Sequence, residues 1–253
     1  MVLQLLNGDK IMDSKVVFIT GGDKGIGRAI AELLAQSDYQ VVITYNSNAK
    51  GAGELQTQYP NVTIYQCNLQ DKIKIREIAN DVLGKFKHVD ILINNAGFES
   101  DSTMLKMEAD QWENVLDVDL RSLFYTSKYF IPTMVEDGWG RVINISSILG
   151  YTGVYGGANY AAAKAGVVGF TKSLALELGG KGITVNAIAP GLIETDLLNR
   201  MPDKYKDRLR EKIPSRTFGK PQDIANLVEF LISDKASYIN GQTIHVNGGM
   251  YAI

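Results

Sequence analysis

From Lys15 onward the chain alternates short β-branched runs with longer segments of helical period, and this alternation narrows the possible folds more than any other feature. The runs at 16–20, 40–45, 62–67, 89–94, 140–146, 183–188 and 243–246 read as strands. The segments near 25–37, 48–59, 71–86, 111–136, 159–179 and 222–233 read as helices. Parallel strands need long crossovers between them, and a helix in each crossover supplies both the reach and an apolar cover. The expected fold class is therefore α/β, a doubly wound parallel seven-stranded sheet with helices on both faces. No low-complexity linker, internal repeat or change of composition interrupts it, so a single domain is expected. At 253 residues with 45% apolar side chains, the chain has material for one large core.

Charge and cysteine content exclude several classes of function. Basic residues number 26 and acidic ones 28, without a basic block, which sets aside nucleic acid and anionic membrane surfaces as partners. Cys67 is the only cysteine, so an intramolecular disulfide is impossible, and its apolar run reads as a buried, reduced thiol suited to a cytoplasmic location. The first residues include Val2, Leu3, Leu5 and Leu6, but the stretch is too short for a membrane span and lacks the flanks of a signal peptide. Residues 1–12 read as a frayed extension to a domain at 13–253, and Met12 serves equally well as the natural start. No metal site is expected.

The first strand runs into Thr20-Gly21-Gly22-Asp23-Lys24-Gly25-Ile26-Gly27 and then a helix. Glycines at 21, 25 and 27 allow a tight turn, let backbone N–H groups approach a pyrophosphate, and place that anion at the positive end of the helix. Glycine-rich turns recur in many loops, but between a strand and a helix at the start of a βαβ alternation this one is expected to bind a dinucleotide. An acidic residue at the end of the second strand would accept the 2′-hydroxyl of NAD and repel the 2′-phosphate of NADP. That strand ends in Asn46 and Ser47, with no carboxylate, and Lys50 follows. NADPH is the expected cofactor; Lys24 reads either as a phosphate contact or as a solvated turn lysine.

Farther along, Ile143-Asn144-Ile145-Ser146-Ser147 closes a strand and Asn159-Tyr160-Ala161-Ala162-Ala163-Lys164 opens a helix. Four residues apart, Tyr160 and Lys164 share a helix face. An ammonium near a phenol favours the phenolate and makes the phenol a usable acid or base near neutral pH. The segment 191–219 breaks the rhythm with Pro202, Pro214, many charges and a weak helical pattern over 203–213. An insertion after a late strand lies over the ligand crevice of a doubly wound sheet, so residues 192–218 read as a substrate lid, with an ordinary surface excursion as the alternative.

These motifs together resemble the short-chain dehydrogenase/reductase family over residues 13–253. The match comprises Thr20-Gly21-x-x-x-Gly25-Ile26-Gly27, Asn94-Asn95-Ala96-Gly97, Ser147 thirteen residues before Tyr160, Tyr160-x-x-x-Lys164 and Pro190-Gly191. The resemblance implies that Ser147 hydrogen-bonds a substrate carbonyl, Tyr160 donates the proton, and Lys164 binds the nicotinamide ribose while acidifying Tyr160. It implies cofactor contacts at Gly21, Asp23, Lys24, Gly25, Ile26, Gly27, Asn46 and Ser47, an adenine site flanked by Asn68 and Leu69, and a cleft lined by Asn95, Ala96 and Gly97. Pro190, Gly191, Ile193 and Thr195 would hold the carboxamide end. One position departs from the pattern: seven residues after Trp112, where the family has asparagine in its proton relay, stands Asp119. Catalysis is expected to survive the change.

Within the family the chain resembles the reductases of β-ketoacyl thioesters, those of fatty-acid synthesis acting on acyl carrier protein and those acting on acetoacetyl-CoA. Reductases of free ketones, sugars or sterols and a non-catalytic nucleotide-binding protein are the alternatives. Acyl carrier protein is strongly acidic and calls for a basic partner surface, yet the turn before the fifth strand reads Glu136-Asp137-Gly138-Trp139, leaving Lys181 as the one matching basic position. The resemblance also implies a homotetramer built through two long helices and the C-terminal segment.

Overall fold

Burial on both faces explains why the apolar runs form strands: β1 (Lys15–Ile19), β4 (Ile91–Asn94), β5 (Gly140–Ile145) and β6 (Ile183–Pro190) are buried at all but one position. With β2 (Tyr39–Tyr45), β3 (Val62–Gln66) and β7 (Thr243–Val246) they form a seven-stranded sheet in the order β3-β2-β1-β4-β5-β6-β7, parallel throughout. The structure, a computed structural model, describes residues 14–195, 198 and 201–252. The expected extension at 1–12 and the lid positions 196, 197, 199 and 200 lie outside the described residues.

Alternate residues of β1 serve the two layers. Val17 and Ile19 pack with Ile30 and Leu34 of α1 (Gly25–Ala35), Leu55 of α2 (Ala49–Gln58) and Val228 of α9 (Pro221–Ile232). Val16 and Phe18 pack with Ile78 of α3 (Lys72–Phe86), Phe130 of α5 (Ser122–Asp137) and Leu178 of α7 (Ala158–Leu178). Cys67 belongs to this second layer, where burial pushes its thiol up to about 11, so it is protonated and inert. No helix among the described residues is long and apolar enough to cross a membrane.

Two departures from the sequence reading matter. The single helix expected over 111–136 is two helices, α4 (Ala109–Leu116) and α5, joined by a π-helical turn (Asp117–Arg121). The wider turn carries Asp119 into the interior, and the Ser122 hydroxyl donates to the Val118 carbonyl at 2.6 Å within it. A short helix, α6 (Leu149–Thr152), occupies the loop after Ser147. In the expected lid, α8 (Asp203–Glu211) is helical and Leu198, Ile213 and Phe218 form a small apolar cluster of their own.

The strand order reverses between β1 and β4, and at such a switch point the crossovers diverge and leave a crevice at the carboxyl ends of the strands. Directly beneath it, a buried polar chain ties the layers together. Asn94 Nδ2 donates to Asn144 Oδ1 at 2.8 Å, the Thr126 hydroxyl donates to Asn94 Oδ1 at 2.7 Å, and Asn144 Nδ2 donates to the Thr171 hydroxyl at 2.9 Å. These bonds join β4, β5, α5 and α7 in an otherwise apolar setting, where losing one partner strands the others. Asn144→Ala is expected to lower stability by about 2–3 kcal/mol, measured by urea denaturation of the purified chain.

Candidate active site

The crevice begins at the turn between β1 and α1. Gly21 has φ of +65°, and a Cβ built on Gly27 would lie 2.1 Å from the Gly21 carbonyl oxygen, so both positions exclude a side chain. Lys24 is the exposed N-cap of α1 and offers no capping bond, which leaves the first-turn N–H groups of the helix for a ligand anion. The turn is braced from below: Asn95 Nδ2 donates to the carbonyls of Thr20 and Gly21, both at 2.9 Å, and Thr20 Oγ1 accepts the N–H groups of Asn95 and Ala96, both at 3.0 Å. Asn95 therefore shapes the turn with its side chain.

Most of the other expected cofactor positions fall along the same crevice. Asp23 is buried and its carbonyl accepts from Asn48 Nδ2 at 3.4 Å, which ties the glycine turn to the end of β2, where Asn46 and Ser47 are exposed. Lys50 pairs loosely with Glu54 at 3.9 Å on α2. Asn68 is exposed, with Oδ1 accepting the Gln70 N–H at 3.1 Å, whereas the Leu69 side chain is buried in the core layer and leaves only its backbone near a ligand. Pro190 ends β6, the Gly191 N–H donates to the Val246 carbonyl at 2.9 Å, and Ile193 is bridged to Gly219. Thr195 returns to the glycine turn: its methyl group would be 3.4 Å from a Cβ on Gly25.

The other wall is α7, whose N-terminus is fixed by a residue that the sequence reading left without a role. Asn159 is fully buried; Nδ2 donates to the carbonyls of Ser100 at 3.0 Å and Gln111 at 3.1 Å, and Oδ1 accepts the Tyr160 N–H at 2.8 Å. The Tyr160 phenol lies within hydrogen-bonding reach of Ser147. Ser147 is itself oriented by the Leu149 N–H, which donates to its hydroxyl oxygen at 3.1 Å and leaves the hydroxyl hydrogen for another acceptor.

One turn along α7, Lys164 is buried, with Nζ 5.4 Å from the Tyr160 ring centroid. Its ammonium donates to the Ile145 carbonyl at 3.1 Å and lies 3.1 Å from Asp119 Oδ2. Asp119 is completely buried on the π turn, and its Oδ1 accepts the Phe98 N–H at 2.9 Å. The Oδ2 contact is a close ion pair, and no other described group bonds that oxygen. A Cβ on Gly97 would lie 2.6 Å from Asp119 Oδ2 and 3.1 Å from Lys164 Nζ, so glycine at 97 is what lets the pair form.

The charges around Tyr160 oppose one another. Burial raises its phenol above the ordinary value, Lys164 pulls it down, Asp119 and Glu99 push it up, and the bond from Ser147 pulls it down again. Burial depresses the Lys164 ammonium, but Asp119 and Tyr160 outweigh this and leave it above its ordinary value. The Asp119 carboxyl is raised by burial, against the opposing pull of Lys164 and the Phe98 N–H. Glu99, exposed at the mouth, is raised by partial desolvation and by repulsion from Asp101 and Asp119. Asn159, Thr20, Glu99 and the Ile145 carbonyl carry the site in ways local spacing does not announce, since each has partners distant in sequence.

Such a site can bind a dinucleotide, hold a carbonyl oxygen between two hydroxyls and supply a proton to it. Gly97→Ala is expected to force the Asp119–Lys164 pair apart, costing about 1–3 kcal/mol of stability and at least about tenfold in kcat. Thermal melts and steady-state kinetics on the purified variant check both.

Residues 21–251 match a family model described as Enoyl-(Acyl carrier protein) reductase. The chain is similar to the 3-oxoacyl-[acyl-carrier-protein] reductase FabG of Staphylococcus epidermidis, 43% identical over 242 residues that cover 94% of this chain and 99% of that one. The protein of the same name from Staphylococcus aureus is 41% identical, covering 94% and 98%. That from Rickettsia felis is 43% identical, covering 96% and 99%.

Proposed function

The chain belongs to the short-chain dehydrogenase/reductase family, and on that footing we propose that it reduces the 3-oxo group of an acyl-carrier-protein thioester to the 3-hydroxyacyl thioester with NADPH, in fatty-acid synthesis. The observation that carries the reading is the convergence of the Ser147 and Tyr160 hydroxyls beside the buried Lys164 ammonium, at the mouth of a crevice that starts at a phosphate-binding turn. The matched descriptions differ in whether a C=C or a C=O bond is reduced. Two hydroxyls within reach of each other suit a carbonyl oxygen, which accepts two hydrogen bonds and needs a proton once reduced.

The cofactor supplies hydride; the protein's residues bind, orient and protonate. The backbone of Gly21, Asp23, Lys24, Gly25, Ile26 and Gly27 forms a cradle that a Cβ at Gly27 would fill, and it fits a pyrophosphate. Asn46 and Ser47 end β2 without a carboxylate, and the Lys24 ammonium is exposed nearby, so this end favours a 2′-phosphate. Asn68, Leu69, Asn95, Ala96, Gly97, Pro190, Gly191, Ile193 and Thr195 complete the cleft, with Asn95 acting through the turn it braces. Ser147 donates to the carbonyl oxygen, Tyr160 donates to it and then transfers its proton, and Lys164 and Asp119 set the charge behind Tyr160. Tyr160→Phe is expected to lower kcat by about 10²–10⁴-fold with little change in NADPH binding.

A homotetramer built through the two long helices and the C-terminal segment belongs to the same reading, and Phe124 and Leu176 stand 48% and 88% exposed on α5 and α7. Residues 13–253 are assigned to the catalytic domain, with its lid at 192–218 and a cytoplasmic location.

The exposed Glu136 and Asp137 at the end of α5 favour a second reading, in which the thioester is carried on CoA. A panel of acyl-carrier-protein and CoA 3-oxoacyl thioesters, followed by NADPH absorbance, separates the two. Turnover of acetoacetyl-CoA is expected, with higher kcat/KM on the carrier-protein substrate. Absence of NADPH oxidation with every thioester rejects both readings.

A further inference from the structure

The Asp119–Lys164 pair places a carboxylate in the interior beside the group that must give up a proton. The ammonium has three N–H groups: one is directed at the Ile145 carbonyl, and the approach of Asp119 Oδ2 at 3.1 Å occupies the space of a second. Neither charge has an escape to solvent, since the Lys164 and Asp119 side chains are 4% and 0% exposed. Lys164 is the one described group that meets Asp119 Oδ2, while Oδ1 accepts the Phe98 N–H at 2.9 Å. Gly97 is built around the contact, and the π turn exists at the point where the carboxylate enters the core.

A lone ammonium stabilises the phenolate of a neighbouring tyrosine and pulls its proton off. An ammonium already paired with a carboxylate has no net charge to offer at longer range, and the carboxylate penalises loss of a proton from either Lys164 or Tyr160. The remaining groups that face Tyr160 act in the same two senses: Glu99, from the loop after β4, adds negative charge, and the Ser147 hydroxyl, from the end of β5, favours the phenolate. We propose that Asp119 is a positioning residue whose buried carboxylate keeps both Lys164 and Tyr160 protonated, so that the site remains a proton donor well into the alkaline range. This inference rests on the reductase reading given above. It adds that the site is set for carbonyl reduction, which uses the phenol, while the reverse oxidation, which uses the phenolate, begins only at high pH.

The sign follows from which form each direction needs. Reduction requires the phenol, so its rate is full at low pH and falls as pH rises through the Tyr160 titration; oxidation of the 3-hydroxyacyl product rises through the same titration. Removing the Asp119 charge leaves Lys164 uncompensated, and the first proton is then lost from the Lys164–Tyr160 pair at lower pH. Asp119→Asn should move the falling limb of kcat for acetoacetyl-CoA reduction to lower pH by at least about one unit, and the rising limb of oxidation with it. On that limb the variant would be about tenfold slower than the wild type in reduction. A uniform loss at all pH values with both limbs in place would mean a purely structural role and overturn the proposal, as would a shift to higher pH.

A second measurement needs neither substrate nor an Asp119 variant. Phenolate ultraviolet absorbance is titrated in the wild type and in Tyr160→Phe, and the difference isolates Tyr160. A midpoint below that of free tyrosine, about 10, refutes the proposal even if Asp119→Asn fails to fold, and one above it is what burial and the Asp119 carboxylate together require. Failure of the thioester reading would appear separately, as absence of NADPH oxidation by the wild type, and would leave this titration unaffected.

Discussion

The position of one ammonium group organises this molecule. Lys164 is long, strongly hydrated in water and costly to bury, so every element within its reach is arranged to compensate it. β5 ends with the Ile145 carbonyl turned toward it, the helix after β4 widens into a π turn that delivers Asp119, and the loop between them carries a glycine where a Cβ would break the pair. The same helix is held from its other side by the Ser146 hydroxyl, which donates to the Lys164 carbonyl at 2.8 Å. Removing one partner of such a buried pair costs far more than the pair contributes. The pair is therefore better understood as a device for placing charge than as a source of stability.

The opposite wall solves the complementary problem, that of binding an anion without a fixed cation in the core. Its charge comes from unclaimed N–H groups at the start of α1, and its shape from glycines and from the Asn95 amide beneath. Both walls rest on the same floor, the Asn94–Asn144–Thr126–Thr171 chain, which locks α5 and α7 to the centre of the sheet. The Ser147 and Tyr160 hydroxyls and the glycine turn can thus keep their spacing although they belong to opposite halves of the fold.

Much of this was legible in the residues. The strands could be read because parallel strands buried on both faces are mostly apolar, and each boundary falls within about two residues of the reading. The glycine turn, Ser147, Tyr160 and Lys164 were legible because their chemistry depends on local spacing. The π turn was not, since the apolar period runs unbroken through 111–136 and one extra residue in a turn leaves no trace in it. Asp119 was visible as a departure, but its direct contact with Lys164 depends on that turn. Asn159 and Thr20 read as ordinary motif neighbours because their partners lie far along the chain or in its backbone.

The surface at the base of the sheet shows the same economy of charge. Lys15 and Arg141 approach the turn after α5, where a basic partner surface would be sought, yet both are engaged by Trp139: Lys15 Nζ lies 3.3 Å and the Arg141 guanidinium carbon 4.3 Å from its ring centroid. Arg141 is buried, and its outermost contact is Asp234 at 3.4 Å, while Glu136 and Asp137 face solvent. The positive charge is present but withheld from the surface, and what a partner meets there is acidic. Recognition of an acidic carrier would then have to draw on Lys181 or on the lid, where Lys204, Arg208 and Lys212 recur every four residues along and just beyond α8. On the proposed reading, carrier recognition is drawn from elements away from Tyr160 and Lys164, which can change without disturbing the buried charges beneath the crevice.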